Sequence, residues 1–131
     1  MTPSNSPYKS KGGFRRLFQA LRYSAQGFGA AFKHEAAFRQ ELLLIVVLTP
    51  VAIWISRSMG EMLLLVGTML FVLIIELLNS ALEALADSIT VEHHPMIGRA
   101  KDLGSAAVML SIALCVLAWL YIIAAHIQAP A

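Results

Sequence analysis

The sequence predicts an all-α membrane protein, in which an N-terminal amphipathic surface helix precedes three transmembrane helices. Its 131 residues are 58% hydrophobic and 14% charged, with a mean hydropathy of +0.70. Soluble domains are typically about 45–50% apolar and about 25% charged. A chain this short cannot bury such an excess in a globular core, so we expect a bilayer to cover it. The formal net charge of +2 is too small to indicate a nucleic-acid partner, and no nucleic acid is expected.

The first part of the chain divides into a polar tail and an amphipathic helix. Residues 1–12 are rich in Ser, Pro and Lys and predict a disordered tail, which leaves residues 13–131 as a single membrane-embedded domain. Between about 14 and 33, apolar residues recur at spacings of three and four, and basic residues fall mostly on the other face. This pattern predicts a helix lying in the membrane surface. A helix of a soluble core would show the same pattern, but the segments that follow favour the membrane.

Apolar segments predict three spans, at about 36–56, 62–87 and 101–125. In the first span the apolar segment, Leu42–Ile55, is shorter than the ~20 residues that a spanning helix needs, so its flanks must contribute. Pro50 is tolerable there because membrane helices accept a proline kink. Trp119 and Tyr121, near the end of the third span, are typical of the membrane–water interface. The predicted fold class therefore depends on three spans, of which the first is the least clearly indicated by its sequence.

The distribution of basic residues predicts the orientation. Seven of the ten Lys and Arg residues precede the first span, Arg57 lies between the first two, Arg99 and Lys101 lie between the last two, and none follows the third. Because positive residues accumulate on the cytoplasmic side, we expect the N-terminus and the polar segment Asp87–Asp102 to face the cytoplasm, where ATP is available.

The second span carries a stripe of polar residues on one helix face. Glu76, Asn79, Glu83 and Asp87 are separated by three, four and four residues. A carboxylate in the bilayer costs at least about 2.5–3.5 kcal/mol, so the stripe indicates function. Glu76 is placed to take a proton from the hydroxyl of a lipid whose tails stay in the bilayer, and Glu83 to hold a Mg²⁺ ion on nucleotide phosphates. A purely structural clasp between Glu76 and Asn79 is the alternative.

Other candidate sites are weaker. Glu35 and Glu41 are further carboxylate candidates at the start of the first span, although Glu41 is also expected simply as an interfacial charge. No phosphate-binding glycine loop occurs, zinc is not expected because His and Cys lack ligand spacing, and His126 is read as a terminal polar residue. The residues alone therefore support a lipid-modifying enzyme and, less well, an ion-conducting oligomer.

Three motifs carry a resemblance to a known family. They are HEAAFRQE at 34–41, ELLNSALEALAD at 76–87 and GRAKDLGSAAV at 98–108. Together they resemble the bacterial integral-membrane diacylglycerol kinases, over roughly residues 14–121. The resemblance implies a homotrimer in the bacterial inner membrane, with active sites shared between neighbouring chains. It also implies transfer of the γ-phosphate of MgATP to the free hydroxyl of diacylglycerol, giving phosphatidate.

The same resemblance implies roles for individual residues. Glu76 matches the general base and Asn79 a polar residue beside it, while Glu35 and Glu83 match the Mg²⁺ ligands, which also contact ATP. The further positions that match nucleotide contacts are Arg16, Tyr23, Glu92, His93, His94, Lys101 and Asp102. The positions that match lipid-substrate contacts are Arg16, Ala37, Phe38, Arg39, Gln40, Glu41, Glu76 and Ser105. Such a set suits phosphoryl transfer, which needs positioning and charge neutralisation more than covalent chemistry.

The sequence departs from the family pattern at two places. Where relatives commonly carry Tyr-His-Glu, this chain has His93, His94 and Pro95, and the His-Pro pair is similar to undecaprenol kinases of Gram-positive bacteria. The turn SRSMGE at 56–61 also differs. An undecaprenol kinase and a non-enzymatic membrane oligomer therefore remain alternatives. The motifs at 34–41 and 98–108 resemble the Gram-negative branch and favour diacylglycerol.

Overall fold

The computed structural model describes residues 12–128, and within that range the chain is almost entirely α-helical. The helices are α1 (Gly13–His34), α2 (Ala36–Ile55), α3 (Met59–Ile89) and α4 (Pro95–Gln128). The last three are long and apolar enough to cross a membrane, which confirms the predicted fold class. The disordered tail predicted for residues 1–12 lies, except for its last residue, outside the described residues.

The connection between α3 and α4 is shorter than the sequence predicts. Asp87–Asp102 was expected to be a polar linker, but α3 continues to Ile89 and α4 begins at Pro95. Proline suits the first helical position because its φ angle is preset and no donor is lost there. The ring nitrogen Nδ1 of His94 accepts a hydrogen bond from the Met96 backbone N–H at 3.2 Å and so caps the new helix. Only residues 90–94 connect the two helices.

The chain forms two compact units, divided between His34 and Glu35. The first, in its described part, is α1, whose aromatic side chains Phe14, Phe18 and Phe28 are exposed, as a surface helix requires. In the second unit α3 is central and packs against both α2 and α4. The single domain expected over residues 13–131 stays a prediction.

We call the end of the second unit where α2 turns into α3 the hairpin end. The turn is made by residues 56–58, and Ser58 caps α3 by accepting a hydrogen bond from the Glu61 N–H at 3.1 Å. Oε2 of Glu61 in turn accepts from the Arg57 N–H at 2.8 Å and lies 3.0 Å from Nε2 of His126, on α4. The interpretation of His126 as a mere terminal polar residue was therefore wrong, because it links α4 to α3.

Apolar packing at the hairpin end joins all three spanning helices. Ala52 of α2, Leu65 of α3 and Ile122 of α4 form a buried cluster. Trp119 packs against this cluster, and its indole N–H donates to the Leu65 carbonyl oxygen at 3.3 Å. The expectation that Trp119 and Tyr121 lie at the membrane interface stays a prediction; the hydrogen bond fixes Trp119 within the helix packing, whereas Tyr121 is exposed.

Hydroxyl side chains within the spans, such as those of Thr68 and Ser111, are satisfied by the backbone of their own helices. Thr68 donates its hydroxyl to the Leu64 carbonyl at 2.8 Å, and Ser111 donates to the Val108 carbonyl at 2.7 Å. α2 continues through Pro50. Such internal pairing is what a bilayer demands, because no water is available there to satisfy a polar group.

Candidate active site

The polar stripe of α3 lies at the opposite end of the second unit from the hairpin end. Glu76 is buried, with 9% of its surface exposed, and Asn79 and Glu83 are half-buried. The Asn79 side-chain amide Nδ2 donates to Glu83 Oε1 at 3.3 Å. Asn79 thus pairs with the carboxylate one turn further along α3, rather than forming the structural clasp with Glu76 that was the alternative. The Glu76 carboxylate therefore makes no hydrogen bond to Asn79.

Two further carboxylates, those of Glu35 and Glu41, come from the N-terminal end of α2. Glu35 is the residue that precedes α2, and its side chain makes no capping hydrogen bond. Glu35, Glu41 and Glu83 all lie within electrostatic range of Glu76. We call these four carboxylates together with Asn79 the acidic site. Because like charges repel strongly where water is scarce, a site of this composition favours a cation.

The acidic site fits Mg²⁺ bound together with a nucleotide. Within residues 12–128, no three His, Cys, Asp or Glu side chains converge as a ready-made metal cage. Mg²⁺ seldom uses such a cage, because it is usually held by one or two carboxylates together with waters and substrate phosphates. Glu35 and Glu83 carry oxygen atoms of the kind that would suit such a site, and the phosphates of a nucleotide would supply the remaining ligands.

The second amide atom of Asn79 faces the neighbouring helix. Oδ1 is buried, has no hydrogen-bond partner in the described part of the chain, and points at Gly104 of α4. A buried acceptor without a partner costs about 1–3 kcal/mol, and an unsatisfied group of this kind calls for an explanation in strain, function or an additional ligand. The acidic site is therefore bounded by α4 at Gly104, and Ser105 follows as an exposed residue.

A cleft of about 300 Å³ opens at the connection between α3 and α4. It is lined by residues 90–94 together with Ile97, Gly98 and Lys101. Four of the residues predicted to bind nucleotide are thereby brought together: Glu92, His93, His94 and Lys101. Because Nδ1 of His94 caps α4, only its Nε2 remains for a ligand. Asp102 is exposed one residue further along α4.

Lys101 has a partner that the sequence analysis did not assign to the site. Its Nζ lies 2.5 Å from Oδ1 of Asp87, and the two side chains are 39% and 54% exposed. Because both groups are largely in water, this ion pair is weak, and Lys101 can exchange Asp87 for another anion at little cost. Helical spacing in the sequence could have indicated Asp87, because it is the fourth member of the polar stripe on α3.

The remaining predicted site residues lie on α1 and at the start of α2, and most of them are exposed. Arg16 and Tyr23 are exposed on α1, which is described by itself as the first unit. At the start of α2, the exposed residues are Ala37, Arg39 and Gln40, while Glu41 is half-buried. Phe38 is buried, with 4% of its surface exposed. The lipid contacts predicted at these positions stay predictions.

Comparison with known proteins gives a consistent result. The family model described as prokaryotic diacylglycerol kinase matches residues 22–123, a range that includes both α3 and the connection to α4 and leaves out Arg16. The chain is 47% identical to a diacylglycerol kinase of Pseudomonas aeruginosa over 116 residues, which are 88% of this chain and 94% of that protein. It is 41% identical to the diacylglycerol kinase of Escherichia coli K12 over 114 residues, 87% of this chain and 93% of that one.

A more distant relative matches over nearly the whole length. The diacylglycerol kinase of Helicobacter pylori 26695 is 34% identical over 129 residues, which are 98% of this chain and 100% of that protein. The similarity therefore extends over the helices that form the acidic site and over the hairpin end alike, and is not confined to a short motif.

Proposed function

Because the chain belongs to the prokaryotic diacylglycerol kinase family and is thereby a lipid kinase, we propose that it transfers the γ-phosphoryl group of MgATP to the free hydroxyl of diacylglycerol. The products are phosphatidate and ADP. The observation that carries this proposal is that Glu35 and Glu83 lie within electrostatic range of the buried Glu76, at one end of the spanning helices. That placement suits an alcohol whose tails remain in lipid while a nucleotide approaches from water.

The reaction is an in-line phosphoryl transfer. The hydroxyl oxygen of diacylglycerol forms a bond to the γ-phosphorus, and the bond from that phosphorus to the β,γ-bridging oxygen breaks, its electron pair leaving on ADP. The hydroxyl proton passes to the Glu76 carboxylate, which later releases it to water. A positioned general base typically contributes about 10²–10⁴-fold, and the remaining catalysis comes from positioning and charge neutralisation.

The nucleotide is assigned to the residues around the cleft. Glu35 and Glu83 would hold Mg²⁺, which when bound neutralises charge on the phosphates and orients the γ-phosphoryl group. Asn79 holds Glu83 in place through the 3.3 Å hydrogen bond. Lys101 exchanges Asp87 for a phosphate oxygen, a charge-assisted contact. The further nucleotide contacts that we propose are Arg16, Tyr23, Glu92, His93, His94 and Asp102.

The lipid substrate is assigned to Glu76 of α3, to the start of α2, to Ser105 of α4 and to Arg16 of α1. Its hydroxyl lies at Glu76, and the contacts proposed for its glycerol and acyl parts are Arg16, Ala37, Phe38, Arg39, Gln40, Glu41 and Ser105. The exposure of most of these side chains, and the place of residues 37–41 at the start of a span, support this assignment.

We further propose a homotrimer in the bacterial inner membrane, with the N-terminus in the cytoplasm, residues 13–131 as one kinase domain, and active sites shared between chains. The early concentration of Lys and Arg supports the orientation. The large apolar side chains exposed along α4, such as Leu110 and Leu117, at 73% and 64%, leave ample surface for lipid and for neighbouring copies.

One assay separates this proposal from the alternatives. Purified protein in mixed micelles, given Mg²⁺ and labelled ATP, is expected to label diacylglycerol far faster than undecaprenol. Equal rates would overturn the substrate assignment, and no transfer to either alcohol would favour a non-enzymatic oligomer. The His94–Pro95 pair, which suggested undecaprenol, has a local explanation that favours neither lipid: Pro95 begins α4 and His94 caps it.

A further inference from the structure

Gly104 lies where α4 approaches α3 most tightly beside the acidic site. A Cβ atom at this position would lie 2.2 Å from Asn79 Oδ1, 3.4 Å from Asn79 Cγ and 3.8 Å from Leu82 Cδ2. Non-bonded heavy atoms attract best at about 3.5–4.0 Å, so the first of these distances is a severe overlap. Among the glycines of the described range, Gly104 alone meets a neighbour this closely.

The Asn79 side chain cannot give way without losing its own contact. Its Nδ2 donates to Glu83 Oε1 at 3.3 Å. Turning the amide over would place Oδ1, an acceptor, against a carboxylate that is also only an acceptor. Rotating the side chain away from α4 would break the hydrogen bond. The bare backbone at Gly104 therefore provides the room in which Asn79 can hold Glu83.

We propose that Gly104 is a positioning residue of the acidic site, a role that rests on the function proposed above. It does not touch substrate; it acts by leaving space for the Asn79 amide, which orients the Glu83 carboxylate toward Mg²⁺ on the nucleotide. The helix that carries Lys101 on the nucleotide cleft thus also sets the geometry of a metal ligand on α3. Outer-sphere partners of metal ligands typically govern about 10–100-fold in affinity or activity.

The first test is Gly104→Ala. We expect the affinity for Mn²⁺, bound together with a non-hydrolysable ATP analogue and followed by electron paramagnetic resonance, to fall by about 10–100-fold, while the KM for diacylglycerol stays unchanged. Gly67→Ala is the matched control, because Gly67 is an exposed position of α3 where a Cβ would meet nothing within 4 Å. Mn²⁺ affinity equal to that of the wild type in Gly104→Ala would overturn the proposal.

The second test asks whether the effect passes through Asn79. Asn79→Ala removes the atoms that the new methyl group meets, so adding Gly104→Ala in that background should cause no further loss of Mn²⁺ affinity or of the thermal midpoint in micelles. Additive losses would overturn the proposal. If Gly104→Ala alone fails to fold, recovery of folding in the double variant supports the contact, and failure of the double variant overturns it.

The thermal measurement also separates this inference from the proposed function. It requires no turnover, so the coupling between positions 79 and 104 is measured even in a protein that phosphorylates no lipid. Absence of kinase activity in the wild type would therefore defeat the proposed function alone. Independent effects at the two positions in an active kinase would defeat the positioning role alone.

Discussion

The hairpin end and the acidic site are built from the same three helices, but they treat polar groups in opposite ways. At the hairpin end, Glu61 accepts from the Arg57 N–H and contacts His126, and Ser58 caps α3. At the acidic site, three other carboxylates lie within electrostatic range of Glu76, and Asn79 Oδ1 is buried with no partner among the described residues. The hairpin end pairs these polar groups within a single chain, whereas the acidic site keeps a buried acceptor that has no hydrogen-bond partner in residues 12–128.

This difference shows where stability and function are separated in so small a membrane protein. Consistency between local preference, packing and polar pairing is what specifies a fold, and real proteins break it at functional sites. The buried cluster of Ala52, Leu65 and Ile122 holds α2, α3 and α4 together. Because that packing stabilises the fold, the opposite end can retain repulsion between carboxylates and the acceptor Asn79 Oδ1, which has no partner in the described residues. Mutations at the two ends should therefore change different observables.

The largest effect is expected from Glu76→Gln. The amide keeps the shape of the side chain and is easier to place in a bilayer than a carboxylate, so folding is preserved. It cannot accept the hydroxyl proton, and kcat should fall by about 10²–10⁴-fold, while binding of the MgATP analogue is retained. Lipid phosphorylation and nucleotide binding, measured on the same preparation, check both parts.

Glu61→Gln supplies the matched control for that experiment, because it makes the same chemical change on the same helix at the hairpin end. Its kcat should equal that of the wild type. Retention of more than about a tenth of the rate in Glu76→Gln contradicts the assignment of a general base, and a comparable loss in Glu61→Gln would show that the two ends are not separable.

The next effect is on stability and belongs to the hairpin end. Leu65→Ala leaves a cavity at a residue with no exposed surface. Such changes cost about 2–5 kcal/mol in soluble cores, and we expect the low end, about 2 kcal/mol, because lipid supplies no hydrophobic force between helices. Unfolding in micelles measures the change. Leu63→Ala is the control, since Leu63 is 63% exposed, and an equal loss there would contradict the assignment of the effect to the buried cluster.

Glu83→Gln tests whether the charge of Glu83, and not only its packing, is needed in the acidic site. Its amide oxygen can still accept from Asn79 Nδ2, so the packing survives and only the charge is lost. The Mg²⁺ concentration that gives half-maximal activity should rise by about 10–100-fold or more, the range for perturbed metal sites. Initial rates over a Mg²⁺ series at saturating ATP test this prediction. Metal dependence unchanged from the wild type would remove Glu83 from the site.

The fold was predictable because a bilayer imposes simple rules on sequence. Long apolar segments and the clustering of Lys and Arg near the N-terminus were enough to predict three spans. The helix ends between α3 and α4 could not be predicted, because most of the polar residues between the two apolar segments are themselves helical. The start of α4 depends on a proline at its first position and on the His94 ring, and the link between Glu61 and His126 joins residues far apart in sequence.

The acidic site was predictable in its residue types but not in its pairing. A periodicity of three and four placed Glu76, Asn79 and Glu83 on one face, because that spacing is a property of any helix. The choice of Glu83 as the partner of Asn79, and the contact with Gly104, depend on how α4 packs against α3. Nothing local to either helix encodes that packing. The ion pair of Asp87 with Lys101 belongs to the same class of contact between helices.

The smallest predicted effect tests whether the hairpin end is tuned for stability alone. Ser58 caps α3 through its side-chain oxygen, and Ser58→Ala should cost about 0.5–2 kcal/mol in the free energy of unfolding in micelles, whereas Ser58→Gly should cost only a few tenths. Both variants should keep the wild-type kcat and Mg²⁺ dependence. Glycine lacks the hydroxyl as well, so a large loss in both would mean that Ser58 does more than cap. A change in Mg²⁺ dependence in either variant would show that the turn communicates with the acidic site along α3, because α3 is the helix that begins at one end and carries Glu76 and Glu83 at the other.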